Sequence, residues 1–248
     1  MDLGIEGRRA AVAAGTAGLG LGTAIALAEA GCKVVVCGRN EERLSSAIDV
    51  IGHGAKGFVC DVGTDAGGRE FVLRSIEVLG GVDILVANGG GPPPGGFAST
   101  DEALYADALQ KNLLSIVAMC TVAVPPMRER RWGRVLAITS STVRQPSPTL
   151  ILSNTARAGV TAYLKTVSRE VAGDGVTVNT IQPGIHLTDR ITQLAGPNPD
   201  ARSMGIPAGF IGDPGDFGRI GAFMCSESAK FMTGVNVNVD GGAYQGLI

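Results

Sequence analysis

Arg9-Ala10-Ala11-Val12-Ala13-Ala14, followed at once by Gly15-Thr16-Ala17-Gly18-Leu19-Gly20 and an amphipathic stretch over Leu19–Ala30, is the segment on which the fold turns. A short apolar run reads as a buried strand. A glycine-rich turn after it lets backbone N–H groups approach a pyrophosphate, with the positive end of the helix dipole behind them. Such a turn alone is a weak signal. At the first strand-to-helix junction of an alternating chain it is a much stronger one.

The chain does alternate. Strand-like runs follow at Lys33–Cys37, Lys56–Asp61, Ile84–Asn88, Arg134–Ser140, Thr177–Gln182 and Val235–Val239. Helical patterns lie between them at Glu41–Ile51, Gly68–Leu79, Asp101–Arg131, Ser153–Ala172 and Asp216–Cys225. Strands that are apolar on both faces indicate a parallel sheet covered by helices on each side. No linker or repeat divides residues 1–248, so one α/β domain of Rossmann type is expected.

Composition narrows the function. Hydrophobic residues make up 45% and charged ones 18%, which excludes intrinsic disorder. A net charge of −2 and so few aromatics (1 Trp, 3 Tyr, 7 Phe) argue against nucleic-acid binding. The five cysteines, Cys32, Cys37, Cys60, Cys120 and Cys225, form no CxxC pair and read as buried thiols in a reducing cytoplasm. No signal-peptide stretch, no run long enough to span a bilayer and no lipidation site is read, so a cytoplasmic protein without membrane contact is expected. With two histidines, neither a metal site nor a hydrolase triad is expected. His186 reads more readily as a bystander at the rim of the cleft than as an acid, and His53 as solvated.

Two segments break the alternation. Gly89-Gly90-Gly91-Pro92-Pro93-Pro94-Gly95-Gly96 is too flexible and proline-rich for an element, and Gly184–Gly212 carries Pro197, Pro199 and Pro207. Both follow strand ends, where ligands bind in open parallel sheets. They are expected to form a cleft with a mobile substrate loop at about 185–212.

The end of the second strand sorts the cofactors. A carboxylate there would accept from the adenosine ribose and repel a 2′-phosphate. The chain instead has Cys37-Gly38-Arg39-Asn40. Arg39 is suited to bidentate contact with a phosphate, so NADPH/NADP+ is favoured over NADH. The alternative for Arg39 is a solvated side chain paired with Glu42.

These features together resemble the short-chain dehydrogenase/reductase family over nearly the whole chain. The resemblance rests on Gly15–Gly20, Asp61-Val62, Asn88-Gly89-Gly90, Asn112, Ser140, Pro183-Gly184 and Val239-Asp240-Gly241-Gly242. It implies a doubly wound, seven-stranded sheet, hydride transfer involving a nicotinamide, and a homodimer or homotetramer. It also implies a cofactor set of Gly15, Thr16, Gly18, Leu19, Gly20, Arg39, Asn40, Asp61, Val62, Asn88, Gly89, Gly90, Arg157, Pro183, Gly184, Ile185 and Thr188. Asn112 and Ser140 would be catalytic.

One departure outweighs the matches. The family's Tyr-x-x-x-Lys begins thirteen residues past the serine, and here those positions are Ser153 and Arg157. Tyr105, Tyr163 and Tyr244 are followed four places on by Leu109, Val167 and Ile248, so the motif occurs nowhere. The glycine motif departs as well, with Ala14 at its first glycine. Serine is shorter and far less acidic than tyrosine and cannot simply replace it. Arg157 stays protonated, with a pKa expected above about 12, and can hold the nicotinamide ribose and orient water from the same helix face as Ser153. Ser140 can still donate to a carbonyl.

The proton is therefore expected from the substrate or a bound water, as in an aromatic ketone or quinone with a neighbouring phenol. In this the site is similar to atypical ketoreductases of angucyclinone-type antibiotic pathways. Two other readings stand beside it: a catalytically silent NADP-binding partner or sensor protein, and a 3-oxoacyl thioester reductase.

Overall fold

The computed structural model describes residues 2–247. Seven strands, β1 (Arg9–Val12), β2 (Lys33–Gly38), β3 (Lys56–Val59), β4 (Ile84–Ala87), β5 (Gly133–Ile138), β6 (Val176–Pro183) and β7 (Asn236–Val239), form one sheet in the order β3-β2-β1-β4-β5-β6-β7. Every pairing is parallel. The order reverses between β1 and β4, and the crevice beyond their carboxyl ends is where such sheets bind ligands.

The helices are α1 (Gly18–Glu29), α2 (Glu41–Ile51), α3 (Asp65–Leu79), α4 (Leu104–Leu109), α5 (Ser115–Glu129), α6 (Ile151–Val171), α7 (Asp189–Ala195) and α8 (Pro214–Met224). One core packs Phe71, Met119, Met127 and Leu164 of α3, α5 and α6 against the sheet; the other packs Leu27, Ile51 and Phe217 of α1, α2 and α8 against the opposite face. Sequence choices set the helix starts. Asn40, Thr64 and Asp213 each accept a backbone N–H from the first turn of α2, α3 and α8. Gly80 ends α3 in the left-handed conformation.

Three expectations are corrected. The stretch 101–131 is not a uniform α-helix, because a π-helical turn, Gln110–Leu114, joins α4 to α5. Its apolar run of 26 residues, Leu104–Glu129, is long enough to cross a membrane by length and composition. The most apolar 18 residues of it are half buried, and the helix packs into the core. The segment 185–212 is also more ordered than its prolines suggest: it contains α7, and a parallel bridge between His186 and Gly212 pins its two ends together.

Candidate active site

The glycine turn is built by close approach. A Cβ on Gly20 would lie 2.6 Å from Ala14 O and 2.7 Å from Asn88 Nδ2. That same Asn88 amide donates to Ala14 O over 3.3 Å, tying the end of β4 to the turn. Gly15 donates to Cys37 O over 3.0 Å, which ties the turn to β2. Gly18 adopts φ +52°, facing the Thr188 methyl group across the turn. Leu19 points into the core. No side chain caps α1, so its first N–H groups remain available to an anion.

Beside the turn lies a cleft of about 430 Å³. Thr16, Arg39, Asp61, Val62, Gly90 and Gly91 line it, together with two side chains the sequence reading missed, Arg43 and Lys111. Arg43 stands one helical turn after Arg39, a spacing that carried the signal. Arg39 makes no ion pair among the described residues, with Glu42 or any other acid. Asn40 lines the cleft too, but its Oδ1 is committed to capping α2 through Arg43 N at 2.8 Å. Asp61 Oδ1 accepts from Gly63 N at 2.9 Å. Gly89 and Gly90 lie beyond Asn88, with no atom within 4 Å of a Cβ on Gly90. A long cleft, a free helix N-terminus, two guanidiniums and no carboxylate at the end of β2 fit a phosphorylated nicotinamide dinucleotide.

At the other end of the crevice, Ser140 follows β5. Its Oγ accepts from Thr142 N at 3.2 Å and lies 3.0 Å from Thr142 Oγ1, a neighbour the sequence reading did not single out. Ser153 is nine-tenths buried on α6, one turn before Arg157. Arg157 Nη1 donates to Ile138 O at 2.8 Å and to Thr139 O at 2.9 Å. The guanidinium is thus bolted to the backbone immediately before Ser140. Two of its five N–H groups are thereby committed to β5. Burial, and then the like charge of Arg190, pull its pKa down to about 10, below the expected value, yet it stays cationic at neutral pH. Asn112 sits in the π-helical turn, buried, with Nδ2 donating to Ala108 O at 3.3 Å.

Pro183 ends β6, and Gly184 N donates to Val239 O at 2.9 Å. Ile185 O accepts from Gly212 N at 3.1 Å, closing the root of the 185–212 segment. His186 is not at the rim of the cleft. It is buried against Phe217, with ring centroids 5.0 Å apart, and its Nδ1 lies 3.3 Å from Gly184 O. Burial lowers its pKa, so it is a packed neutral side chain. Of the tyrosines, Tyr163 is half-buried on the core side of α6, its pKa pushed up to about 12 by burial. Tyr105 is half-buried on α4. The Tyr244 ring lies 5.7 Å from the guanidinium of Arg144, in the loop that follows Ser140.

The family profile described as enoyl-(acyl carrier protein) reductase matches residues 13–244. The 3-oxoacyl-(acyl-carrier-protein) reductase FabG of Vibrio cholerae is 33% identical over 243 residues, covering 98% of this chain and 99% of that protein. The chain belongs to the short-chain dehydrogenase/reductase superfamily. Two solved members of that superfamily align along its whole length. L-Sorbose reductase from Gluconobacter frateurii, complexed with NADPH and L-sorbose, superposes with a TM-score of 0.91 at 27% identity, covering 100% of both chains. A Pseudomonas aeruginosa short-chain oxidoreductase described as containing an atypical catalytic center gives 0.90 at 28% identity, covering 99% of this chain and 100% of that one. Short-chain dehydrogenases/reductases are oxidoreductases, and members are known with NADPH or NADH bound.

Proposed function

We propose that this short-chain dehydrogenase/reductase is an NADPH-dependent ketoreductase whose substrate, an aromatic ketone or quinone, brings its own acidic hydroxyl. The observation that carries this reading is the pair Ser153 and Arg157, standing on α6 where the family has Tyr and Lys. Arg39 and Arg43 at the mouth of the cleft support the 2′-phosphorylated cofactor.

When bound, the reduced nicotinamide supplies the hydride. Ser140 donates to the carbonyl oxygen as negative charge builds there. Arg157 fixes the backbone that presents Ser140 and keeps a full positive charge beside the reacting centre. A phenol adjacent to the carbonyl hands its proton to the new alkoxide, leaving a phenolate that the charge of Arg157 offsets until water reprotonates it. Ser153 is far smaller than the phenol side chain the family carries at that position, and the substrate hydroxyl takes over its role as proton donor. A soluble homodimer or homotetramer in the cytoplasm belongs to the same proposal.

A second reading, reduction of a 3-oxoacyl thioester, is favoured by the likeness to FabG. Such a substrate has no phenol and would need an acid from the chain. Tyr244, close to the loop after Ser140, is the tyrosine to test for that role.

NADPH oxidation, followed with hydroxy-quinones, hydroxyaryl ketones, their methyl ethers and acyl thioesters, separates the readings. The expected result is turnover of the free phenols, loss on methylation, and kcat within about threefold of wild type for Ser153→Ala and Tyr244→Phe. Arg39→Glu is expected to weaken NADPH far more than NADH. A fall of about a hundredfold in either hydroxyl variant would return the proton to that residue. Tight NADPH binding with no turnover on any substrate would favour the silent relative.

A further inference from the structure

The lid helix α7 reaches both walls of the cleft. Thr188, which precedes it, faces the glycine turn: a Cβ on Gly18 would lie 3.1 Å from the Thr188 Cγ2 methyl. Two residues on, Arg190 crosses to the opposite wall, where its Nη2 donates to Pro92 O over 3.1 Å. Its Nη1 packs so tightly there that a Cβ on Gly91 would sit 2.1 Å away. Gly91 itself lines the cleft beside Gly90, Ala14 and Ala17. The like charge of Arg190 adds to burial in lowering the pKa of Arg157.

Among the described residues neither of these arginines forms an ion pair. A guanidinium carries five donors in a planar fork, and Pro92 O occupies one of those on Arg190. Exposed Arg190 lies against Gly91, which lines the cleft, and the uncapped N-terminus of α1 borders the same cleft, an arrangement suited to an oxyanion between them.

We propose that Arg190 is a cofactor-binding residue that straps the lid helix across the cleft and donates to the pyrophosphate of the bound dinucleotide. This rests on the dinucleotide part of the function proposed above and not on the substrate. The glycine turn receives the pyrophosphate from one side through backbone N–H groups, and Arg190 covers it from the other. Gly91 is glycine because any larger residue would unseat the strap.

The test is equilibrium binding, by calorimetry, of NADPH and of 2′-phospho-ADP-ribose, which keeps the pyrophosphate and lacks the nicotinamide. Arg190→Gln is expected to weaken both ligands about tenfold, with a smaller loss at high ionic strength. Arg190→Lys, which keeps the charge without the fork, should recover part of the affinity. Gly91→Ala should weaken both ligands as well, and should add little to Arg190→Gln in the double variant. Unchanged affinity for both ligands in Arg190→Gln would overturn the proposal. So would unchanged NADPH affinity with a raised KM for acidic substrates, which would assign Arg190 to the substrate. Failure of the wild-type protein to bind either ligand would overturn the reading of the cleft itself.

Discussion

Ala14 stands at the corner where β1 enters the glycine turn, with φ +48°. An L-residue with a Cβ in that region costs about 1–2 kcal/mol, and glycine gives back part of the difference through its freer unfolded state. Ala14→Gly is therefore expected to stabilise the protein by about 0.5–1 kcal/mol, read as a rise of about 1–4 °C in Tm. A fall in Tm would show that the alanine methyl makes contacts that outweigh the strain. Arg157 differs from a lysine in more than pKa. Its planar Nη1 bonds two successive carbonyls, those of Ile138 and Thr139, and so holds in place the strand that ends in Ser140. A lysine carries its charge and all three donors on a single nitrogen, without that planar geometry.

At the scale of elements, the joint between α1 and α8 has no side chains at its closest points. A Cβ on Gly22 would lie 2.1 Å from Pro214 O, and one on Gly218 would lie 2.0 Å from Gly22 O. Either glycine changed to alanine must push the helices apart. Gly22→Ala is expected to destabilise by about 2–3 kcal/mol in denaturant unfolding and to weaken NADPH binding, because α1 carries the turn that holds the cofactor. A Cm unchanged from wild type would refute the close contact. The elements themselves were legible in the sequence, since β4 and β5 are buried throughout and read as continuous apolar runs. The π-helical turn at Gln110–Leu114 was not, because widening a helix by one residue leaves its hydrophobic pattern almost intact. Helix α7 was hidden between glycine and proline residues that favour loops. Lys111 escaped notice for another reason: a long side chain meets the cleft through its reach, and periodicity records only where its backbone sits. Gly15–Gly20, Ser140, Ser153 and Arg157 were found because spacing along the chain fixes which strand end or helix turn carries them.

Taken as a whole, the molecule hides all five of its thiols on or beside the two cores. Burial pushes Cys32, Cys37, Cys120 and Cys225 up to about 12 and raises Cys60. A thiol reagent attacks the thiolate, so at pH 8 the folded protein should react slowly at every cysteine and quickly once denaturant opens the cores. Mass spectrometry after brief labelling checks this. Rapid modification of Cys120 in the folded protein would contradict the packing of α5 against the sheet. The two cores also set an order of assembly. During synthesis, α1 leaves the ribosome early, while Gly218, its counterpart in the joint with α8, is made only near the end. The nascent chain must therefore carry its first helix without a partner through almost its entire translation, until the last helix arrives to meet it.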